Sequence, residues 1–443
     1  MINKIFGSSR TFYFSLAATT VLVASVLLIM FFYGFGLFDY TPTISKVYFA
    51  DNISPTHKYL IDKFNKMHEG KIEVVPIDLP FEKFSTNERK ELLIRYLRSK
   101  SDRIDIFSVD HIWVPRFAKW TEPLDKYLTL KEKNELNERV LQTCYFQNKL
   151  VAIPLYFDIS LLYYNNDEID KLPNGEAIKS ELNNFITWER FIELSAPLKK
   201  NKKPIYIFPA DDYEGLMCSF IELLNSQNGN LFEADSVNLK TDTAEKSLQL
   251  LVDLVDRYKL TPPSVLSFRE SESYFQFINE NGYFLRGWTG LHVWYKNNIK
   301  DEDVRAKYNF APMPHLKGSH PASVIGGWNL MLSKQSTKKN EAAEFIKFLI
   351  SEESQIKMFE KGGYLPVIKS LFDNEEFIQR NPEFNLYKKI IETGVNRPFS
   401  DKYTRCSDII AHYLNQAIKK EISVKDALAT AERVINSGQF FIK

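Results

Sequence analysis

Residues 46–77 read KVYFADNISPTHKYLIDKFNKMHEGKIEVVPI, and they predict a strand, a helix and a second strand. Lys46–Ala50 has the apolar and aromatic composition of a buried strand. Ser54 then supplies a side-chain N-cap, and Pro55 fits the first helical position, where a backbone N–H is not needed. Apolar residues recur at helical spacing until Gly70, which ends the helix before the next strand.

The same alternation continues along the chain. Asn87–Ser99 predicts a helix, and Ile104–Val109 predicts a third strand. Strand–helix–strand alternation indicates a parallel sheet flanked by helices, so we predict an α/β fold. Ligands of open parallel sheets bind beyond the carboxyl ends of the strands, where Asp110 and Trp113 follow the third strand. Packing in the protein interior is the alternative role for Trp113.

Length and charge exclude several classes of protein. The chain has 443 residues, which is more than one hydrophobic core usually supports, so we expect two lobes. Hydrophobic residues make up 44% and charged residues 26%, which is typical of a globular protein. Lys and Arg number 57 against 56 Asp and Glu, so the chain lacks the basic field that nucleic-acid binding requires.

Cysteine and histidine spacing predicts neither a metal site nor a bound cofactor. The three cysteines are far apart and form no CxxC pair, which argues against zinc and leaves one disulfide open: Cys144, Cys218 and Cys406. Three histidines lack a second histidine at ligand spacing, so we expect solvated or core imidazoles: His57, His68 and His111.

The N-terminal segment predicts a membrane helix. Residues 15–38 carry no charge, and a helix of that length can cross a hydrocarbon core of about 30 Å. Lys4 and Arg10 precede this stretch, and Asp39 is the first charge after it. The positive-inside rule then places the N-terminus in the cytoplasm and the rest of the chain outside, in the periplasm or the extracellular space.

Two interpretations of this segment compete. A cleavable signal has a shorter apolar core and an Ala-x-Ala-like site, whereas this stretch offers only Gly34-Phe35-Gly36. No cysteine precedes Cys144, so a lipidated anchor near the N-terminus is excluded. We therefore favour an uncleaved, single-pass anchor, with a secreted protein as the alternative. No later segment is long and apolar enough for a second span.

Four stretches of the body resemble the family-1 extracellular solute-binding proteins, the maltose-binding-protein-like group that serves sugar importers. In order and spacing they cover about Lys46 to Leu371. They are Asp105-Ile106-Phe107-Ser108-Val109-Asp110 with Trp113, Ala152-Ile153-Pro154-Leu155 with Asp158 and Leu162-Tyr163-Tyr164-Asn165, Val324-Ile325-Gly326-Gly327-Trp328-Asn329-Leu330 with the helix 341–349, and Gly362-Gly363-Tyr364-Leu365-Pro366-Val367.

One stretch departs from that family. Members usually carry a Gly-Lys-Ala-Ala-Met-like segment ahead of a ligand-facing Trp. Here the corresponding residues, Asn281–Trp288, read NGYFLRGW, which is bulkier and contains Arg286. This difference affects the prediction of the exact ligand more than the prediction of the fold.

The resemblance implies a type II periplasmic-binding-protein-like fold of two α/β lobes, each a mainly parallel sheet flanked by helices, preceded by one transmembrane helix. The implied units are a cytoplasmic stub, anchor and linker at 1–45, lobe 1 at 46–157 plus about 325–366, and lobe 2 at 158–324 plus about 367–443. The chain is expected to cross between the lobes near three segments: 156–158, 319–325 and 365–371.

A sugar has apolar C–H faces and a rim of hydroxyl groups, so its site needs aromatic planes and polar side chains. Trp328, which follows two glycines, and Trp288 are the predicted stacking residues, with lobe packing as their alternative role. The further predicted ligand contacts, each with a turn, packing or surface role as its alternative, are Asp110, Trp113, Asp158, Tyr364 and Arg397.

The function implied by the resemblance is capture of a solute, with a sugar as the expected class, and its delivery to the membrane subunits of an ABC-type importer. No catalytic activity and no cofactor are expected, because no nucleophile elbow, phosphate loop or zinc motif occurs. A ligand-sensing accessory protein of the same fold is one alternative. A glycoside-processing enzyme, which needs two carboxylates across a bond, is the other.

Overall fold

The structure is a computed structural model that describes residues 6–34, 44–80, 86–99, 103–233, 236–300 and 302–438. The α-helices in these ranges are α1 Phe6–Gly34, α2 Pro55–Met67, α3 Thr86–Arg98, α4 Val114–Phe117, α5 Leu130–Asn134, α6 Glu138–Leu141, α7 Asn166–Ile169, α8 Gly175–Asn183, α9 Trp188–Ser195, α10 Glu214–Ser226, α11 Asp242–Val255, α12 Glu270–Asn279, α13 Leu291–Asn298, α14 Lys339–Leu349, α15 Glu352–Gly362, α16 Glu375–Arg380, α17 Phe384–Ile391, α18 Tyr403–Ile418 and α19 Val424–Asn436.

Strands alternate with these helices through most of the chain. They are β1 Ser45–Asp51, β2 Ile72–Asp78, β3 Ile106–Asp110, β4 Tyr145–Phe146, β5 Lys149–Leu150, β6 Ile153–Ile159, β7 Leu161–Asn165, β8 Tyr206–Ile207, β9 Phe232–Glu233, β10 Ser236–Val237, β11 Phe284–Gly287, β12 Tyr308–Ala311, β13 Ser323–Leu332 and β14 Gly394–Asn396.

The elements predicted from residues 46–77 are confirmed. Strand β1 is followed by α2, whose N-cap Ser54 accepts a hydrogen bond from the backbone N–H of His57. Pro55 occupies the first helical position, as expected. The next strand, β2, pairs with β1 in parallel over seven residues, from Ser45 opposite Ile72 to Asp51 opposite Asp78.

The first sheet has six strands in the order β14-β13-β3-β1-β2, with β6 also paired to β13. Strands β1, β2 and β3 are parallel to one another, while β13 runs antiparallel to β3 and to β6. Helices α2, α14 and α15 pack together on this sheet. The sheet contains both parallel and antiparallel pairs. Strand β6 leads out of it toward the second sheet, and β13 leads back into it in the opposite direction.

The second sheet has four strands in the order β12-β7-β11-β8. Strand β7 is antiparallel to both of its neighbours, and β11 is parallel only to β8. The prediction of a mainly parallel sheet in each lobe is therefore wrong for the second lobe. Strand β7 enters this sheet from β6 of the first sheet through the single residue Ser160, and its antiparallel partners β11 and β12 lie far along the chain.

Two crossings between the lobes are hydrogen-bonded to each other. The backbone N–H of Ser160, between β6 and β7, donates to the carbonyl of Val324 at 3.0 Å, and the Ser160 hydroxyl accepts from the Val324 N–H at 2.9 Å. Strand β14 joins the same place, because it pairs with residues 323–325 of β13. Three strands thus meet where the chain passes from one sheet to the other.

The segment near 365–371 is bonded to the first lobe. Leu365 bridges to Phe157 on β6, and Ile368 bridges to Leu136. Contact with the second sheet follows at α17, where the ring of Tyr387 stacks on Phe310 of β12 with centroids 4.4 Å apart. The lobe boundaries themselves stay a prediction.

Two glycines touch across the lobes. Gly290 follows β11 of the second sheet, and Gly363 ends α15 of the first lobe. Both have left-handed backbones, with φ of +84° and +69°. A Cβ atom added at Gly363 would lie 2.5 Å from the Cα of Gly290, a distance at which atoms overlap. The observed approach of the lobes therefore requires glycine at this contact.

The structure contains no disulfide among the three cysteines, which are all buried and free: Cys144, Cys218 and Cys406.

Helix α1 covers Phe6–Gly34. Within the part of the chain that the structure describes, no helix combines the length and the apolarity needed to cross a membrane. The predicted anchor at 15–38 extends past the described residues and stays a prediction.

Replacing Gly363 by Ala is expected to hold the lobes apart. The new methyl group collides with Gly290, so the radius of gyration measured by small-angle X-ray scattering should rise and the midpoint of urea unfolding should fall. Gly70→Ala is the matched control, because Gly70 has the same left-handed backbone, with φ of +76°, but no atom within 4 Å of an added Cβ. Equal effects of the two substitutions on both quantities would contradict the interlobe contact.

Candidate functional site

Trp328 lies in the middle of β13, opposite Asp110 on β3 and Tyr156 on β6. The preceding residue, Gly327, has φ of +141°, and a Cβ there would lie 2.7 Å from the carbonyl oxygen of Tyr156. The predicted close backbone approach next to Trp328 is thus confirmed. The indole is 8% exposed and meets Trp113 edge-on, with centroids 5.8 Å apart.

A buried guanidinium lies against the face of that indole. The Cζ atom of Arg89, on α3, is 4.4 Å from the centroid of the Trp328 ring. Its Nη2 donates to the Asp51 carboxylate at 3.3 Å. Burial lowers the pKa of Arg89, and the neighbouring Asp51 opposes that shift. A desolvated cation–π contact of this kind contributes about 2 kcal/mol, so Arg89 fixes the plane of the ring.

Trp288 has the same arrangement in the second lobe. It directly follows β11, is partly buried, and has the Cζ atom of Arg286 4.5 Å from its ring centroid. Arg286 is fully buried, and its Nη2 donates to Glu222 of α10 at 2.7 Å. Burial acts to lower the pKa of Arg286, but the Glu222 carboxylate outweighs it and the net shift is upward.

The backbone on either side of the Trp288 ring is also held. Its N–H donates to the hydroxyl of Tyr274 at 3.0 Å, and its carbonyl accepts from the hydroxyl of Tyr163 at 2.7 Å. The ring faces the first lobe, because a Cβ added at Gly326 of β13 would lie 3.1 Å from it. Each of the two predicted stacking residues is therefore a tryptophan set on a buried Arg–carboxylate pair.

Arg397 joins the two lobes. Its guanidinium donates twice to Asp110 at the end of β3, at 2.7 and 3.2 Å, and once to Glu214 at the start of α10, at 3.0 Å. Tyr403 also donates to Glu214, at 2.7 Å. Only 4% of Arg397 is exposed, so its charge is neutralised by the protein. Its predicted contact with ligand oxygens stays a prediction, as does that of Asp110.

Glu214 and His111, which lie beside Arg397, have shifted pKa values. Burial raises the pKa of Glu214, against the opposing charge of Arg397. Burial, together with the nearby Arg397 cation, lowers the pKa of His111 to about 3, so this imidazole is neutral at pH 7. The cross-lobe contact therefore consists of one cation and two acids.

Asp158 lies near the end of β6, one residue from the crossing at Ile159–Ser160. Its Oδ1 accepts a hydrogen bond from the hydroxyl of Thr289 at 2.7 Å. Burial raises the pKa of Asp158 to about 6, and the negative Asp110 acts in the same direction. Among the residues that the structure describes, no lysine, arginine or histidine lies within 4.0 Å of this carboxylate. Asp158 is thus a cleft acid without a basic partner.

Tyr364 completes an aromatic group on the first lobe. Its ring stacks on Tyr156 with centroids 4.1 Å apart and on His57 with centroids 5.5 Å apart. His57 donates from Nδ1 to the carbonyl of Asn52 at 2.9 Å, and its buried Nε2 has no hydrogen-bond partner. The Oδ2 atom of Asp51 is likewise buried and without a hydrogen-bond partner. Two buried polar atoms beside the stacked rings therefore have unused hydrogen-bonding capacity.

The structure brings the seven predicted site residues to the junction of the two sheets. Trp113 is 2% exposed and touches Trp328, so it packs behind the site rather than opening onto it, and its ligand contact stays a prediction. Sequence reasoning missed several residues of this junction, namely Asp51, His57, Arg89, Tyr156, Glu214, Glu222 and Arg286 as a site residue. The charge inside the otherwise apolar stretch 283–288 was the signal that could have found Arg286.

What the arrangement offers is stacking and hydrogen bonding. It supplies two indole rings, a tyrosine pair and several carboxylates, which suits a ligand with apolar faces and hydroxyl edges. In the described ranges, no group of three or more His, Cys, Asp or Glu side chains could hold a metal ion.

The chain matches the family model for bacterial extracellular solute-binding proteins over residues 50–356. A probable ABC transporter-binding protein of Deinococcus radiodurans is 24% identical over 78% of this chain and 83% of its own length. The sn-glycerol-3-phosphate-binding periplasmic protein UgpB of Shigella flexneri is 25% identical over 53% of each chain.

Solved structures show the same fold. Maltose-bound MalE3 of T. maritima superposes with a TM-score of 0.78 at 24% identity, covering 89% of this chain and 99% of that one. A solute-binding protein from Thermotoga lettingae, bound with α-D-tagatose, gives a TM-score of 0.76 at 20% identity with the same coverage. The two-lobed α/β periplasmic-binding-protein-like fold is thereby confirmed. The chain belongs to the bacterial extracellular solute-binding protein family, whose members serve ABC importers.

Proposed function

We propose that this chain captures a sugar or polyol between its lobes and presents it to the membrane subunits of an ABC importer. The observation that carries the proposal is the pair of arginine-backed tryptophans, Trp328 in the first sheet and Trp288 at the end of the second. One ring projects from each lobe at the junction where the chain crosses. A flat, hydroxylated molecule fits between surfaces of this kind.

The chemistry of the junction matches such a molecule. The C–H faces of a pyranose pack on indole rings, and its hydroxyls need acceptors and donors around the edge. Asp158 and Asp51 provide acceptors, and the Thr289 hydroxyl now bound to Asp158 gives way to a ligand hydroxyl. Related solved structures contain maltose, α-D-tagatose, ribitol and D-mannitol, which are all neutral polyhydroxylated compounds.

The contacts between the lobes give the capture step its mechanism. Arg397 links Asp110 and Glu214 across the junction, and the glycine contact brings Gly290 against Gly363. A ligand that touches both lobes binds this closed arrangement better than an open one, so it shifts the population toward closure. The closed lobes then form the surface that docks on the permease.

Helix α1 is proposed to tether the protein to the membrane, with the lobes outside the cytoplasm. Many of its described side chains are apolar and exposed, such as Leu22 at 66%, Leu27 at 60% and Phe31 at 57%. The support comes from the uncharged sequence 15–38, part of which lies outside the described residues. Tethering raises the local concentration of the binding protein near its permease without new contacts.

A thermal-shift screen of the full chain in mild detergent tests capture. Sugars and polyols that bind should raise the melting temperature, since a ligand at 100 times its dissociation constant adds about 2.7 kcal/mol. Trp288→Ala should abolish the rise, because it removes the more accessible of the two stacking faces.

Trp120→Ala is the control in that screen. Trp120 also lies under a cation, with Lys119 4.3 Å from its ring, but it is far along the chain from the crossings and outside the site. Its variant should keep the ligand-induced rise. No shift with any solute, or slow hydrolysis of the added sugars, would reject capture, and hydrolysis would favour a glycoside-processing enzyme.

Asp158 gives a prediction for the pH dependence of stability. Its pKa is about 6 in the folded chain and near 3.8 when unfolded, so the folded state binds the extra proton between those values. The ionised group therefore destabilises the fold above pH 6, by at most about 3 kcal/mol, and this cost disappears as the pH falls toward 4. Asp158→Asn should be more stable than the parent at pH 7.5, in urea unfolding.

The difference between parent and variant should shrink steadily from pH 6 to pH 4.5. Because other groups titrate alike in both proteins, their effects cancel in this difference. A constant difference over the whole range would mean that Asp158 has an ordinary pKa.

A further inference from the structure

The structure describes four buried lysine or arginine side chains, and each already lies against a carboxylate. Arg89 pairs with Asp51 and Lys90 lies 4.0 Å from Asp408. Arg286 pairs with Glu222. Arg397 binds both Asp110 and Glu214. The buried lysine and arginine side chains are thus paired with protein acids. The imidazole of His111 adds no positive charge at pH 7, because burial lowers its pKa to about 3.

Acids outnumber bases at the junction. Three guanidinium groups face five carboxyl groups, the fifth being Asp158. Among the described residues, that carboxylate accepts a hydrogen bond from the Thr289 hydroxyl, and the negative charge of Asp110 helps to raise its pKa. Burial raises the pKa of Tyr156, Tyr163, Tyr274 and Tyr364, and the negative charge of Asp158 acts in the same direction on each of them.

We propose that this cleft accepts polyhydroxylated solutes without a negative charge and rejects their phosphorylated or carboxylated counterparts, with Asp158 as the residue that determines this specificity. The inference rests on the proposed function and narrows its substrate class.

The chemistry of Asp158 supports each half of that statement. A carboxylate only accepts hydrogen bonds, so a ligand hydroxyl takes the place of the Thr289 donor, whereas an ionised phosphate oxygen has no proton to give. Two like charges about 5 Å apart in a partly buried site disfavour binding by about 100-fold. Recognition of phosphate usually uses an arginine or lysine. Each buried arginine in the described part of the chain is instead paired with a carboxylate.

The proposed selection against anionic solutes distinguishes this chain from one of its relatives by the charge of the ligand. The Shigella flexneri relative is named for binding sn-glycerol 3-phosphate, and it matches about half of this chain. A ligand of that kind would place a dianion beside Asp158. The charge of the junction therefore predicts different ligands for the two proteins.

Matched pairs of solutes test the inference by isothermal titration calorimetry on the full chain in mild detergent. The pairs are glycerol with sn-glycerol 3-phosphate, glucose with glucose 6-phosphate, and mannitol with mannitol 1-phosphate. In every pair that binds, the neutral member should bind at least about 100-fold more tightly. Asp158→Asn should weaken the neutral member by about 10-fold and reduce the preference over its phosphorylated partner.

Glu376→Gln is the control, because this acid of α16 is 83% exposed and outside the site, so both affinities should match the parent. Tighter binding of a phosphorylated member, or an unchanged preference in Asp158→Asn, would overturn the charge selection and leave capture intact. If no solute binds to a folded chain, the proposed function fails and the inference falls with it. The parent protein alone decides the preference between the members of a pair, and folded Asp158→Asn decides whether Asp158 determines it.

Discussion

Strand β13 is the constraint on which the rest of the structure depends. All ten of its residues, Ser323–Leu332, are buried, and it pairs with β14, β3 and β6. Its first residues lie at the crossing between the lobes, and its middle places Trp328 between Asp110 and Tyr156. The same strand presents Gly326 to the Trp288 ring of the other lobe. The backbone ladder of one strand therefore fixes both the hinge and one wall of the site.

Buried charge gives the site its rigidity and its selectivity. An isolated guanidinium in the interior is costly, and pairing with a carboxylate offsets the cost only when the geometry is good. Arg89 with Asp51, and Arg286 with Glu222, supply such pairs, and each guanidinium lies against one of the two indoles. The same ion pairs neutralise the positive charge of these two arginines. Asp158, which has no basic partner within 4.0 Å among the described residues, then dominates what a ligand meets.

The local elements could be predicted from the sequence because their signals are local. The cap at Ser54, the first-turn Pro55 and the end at Gly70 predicted α2 and its flanking strands correctly. Strand direction in the second sheet could not be predicted, because β7 pairs with β11 and β12, which are far from it in sequence, and pairing of such long range leaves no mark in the local hydrophobic pattern. The prediction of a mainly parallel sheet failed there for this reason.

The site was predictable in part. The glycine pair before Trp328 identified a close backbone approach, which the structure confirms. Arg89 was invisible because, in an amphipathic helix, it resembles any solvated arginine, and only the tertiary fold places it on an indole. Arg397 looked like a loop residue that was able to contact a ligand, but its partners Asp110 and Glu214 are 287 and 183 residues away in sequence. Contacts of such long range have no local signature.

The most direct test of the central claim is a crystal structure of the chain grown with the solute that stabilises it most. The account predicts one solute molecule between the two sheets, with a face on Trp288 and a hydroxyl on Asp158. Solute density confined to the outer surface of either lobe, with the junction unchanged, would contradict it.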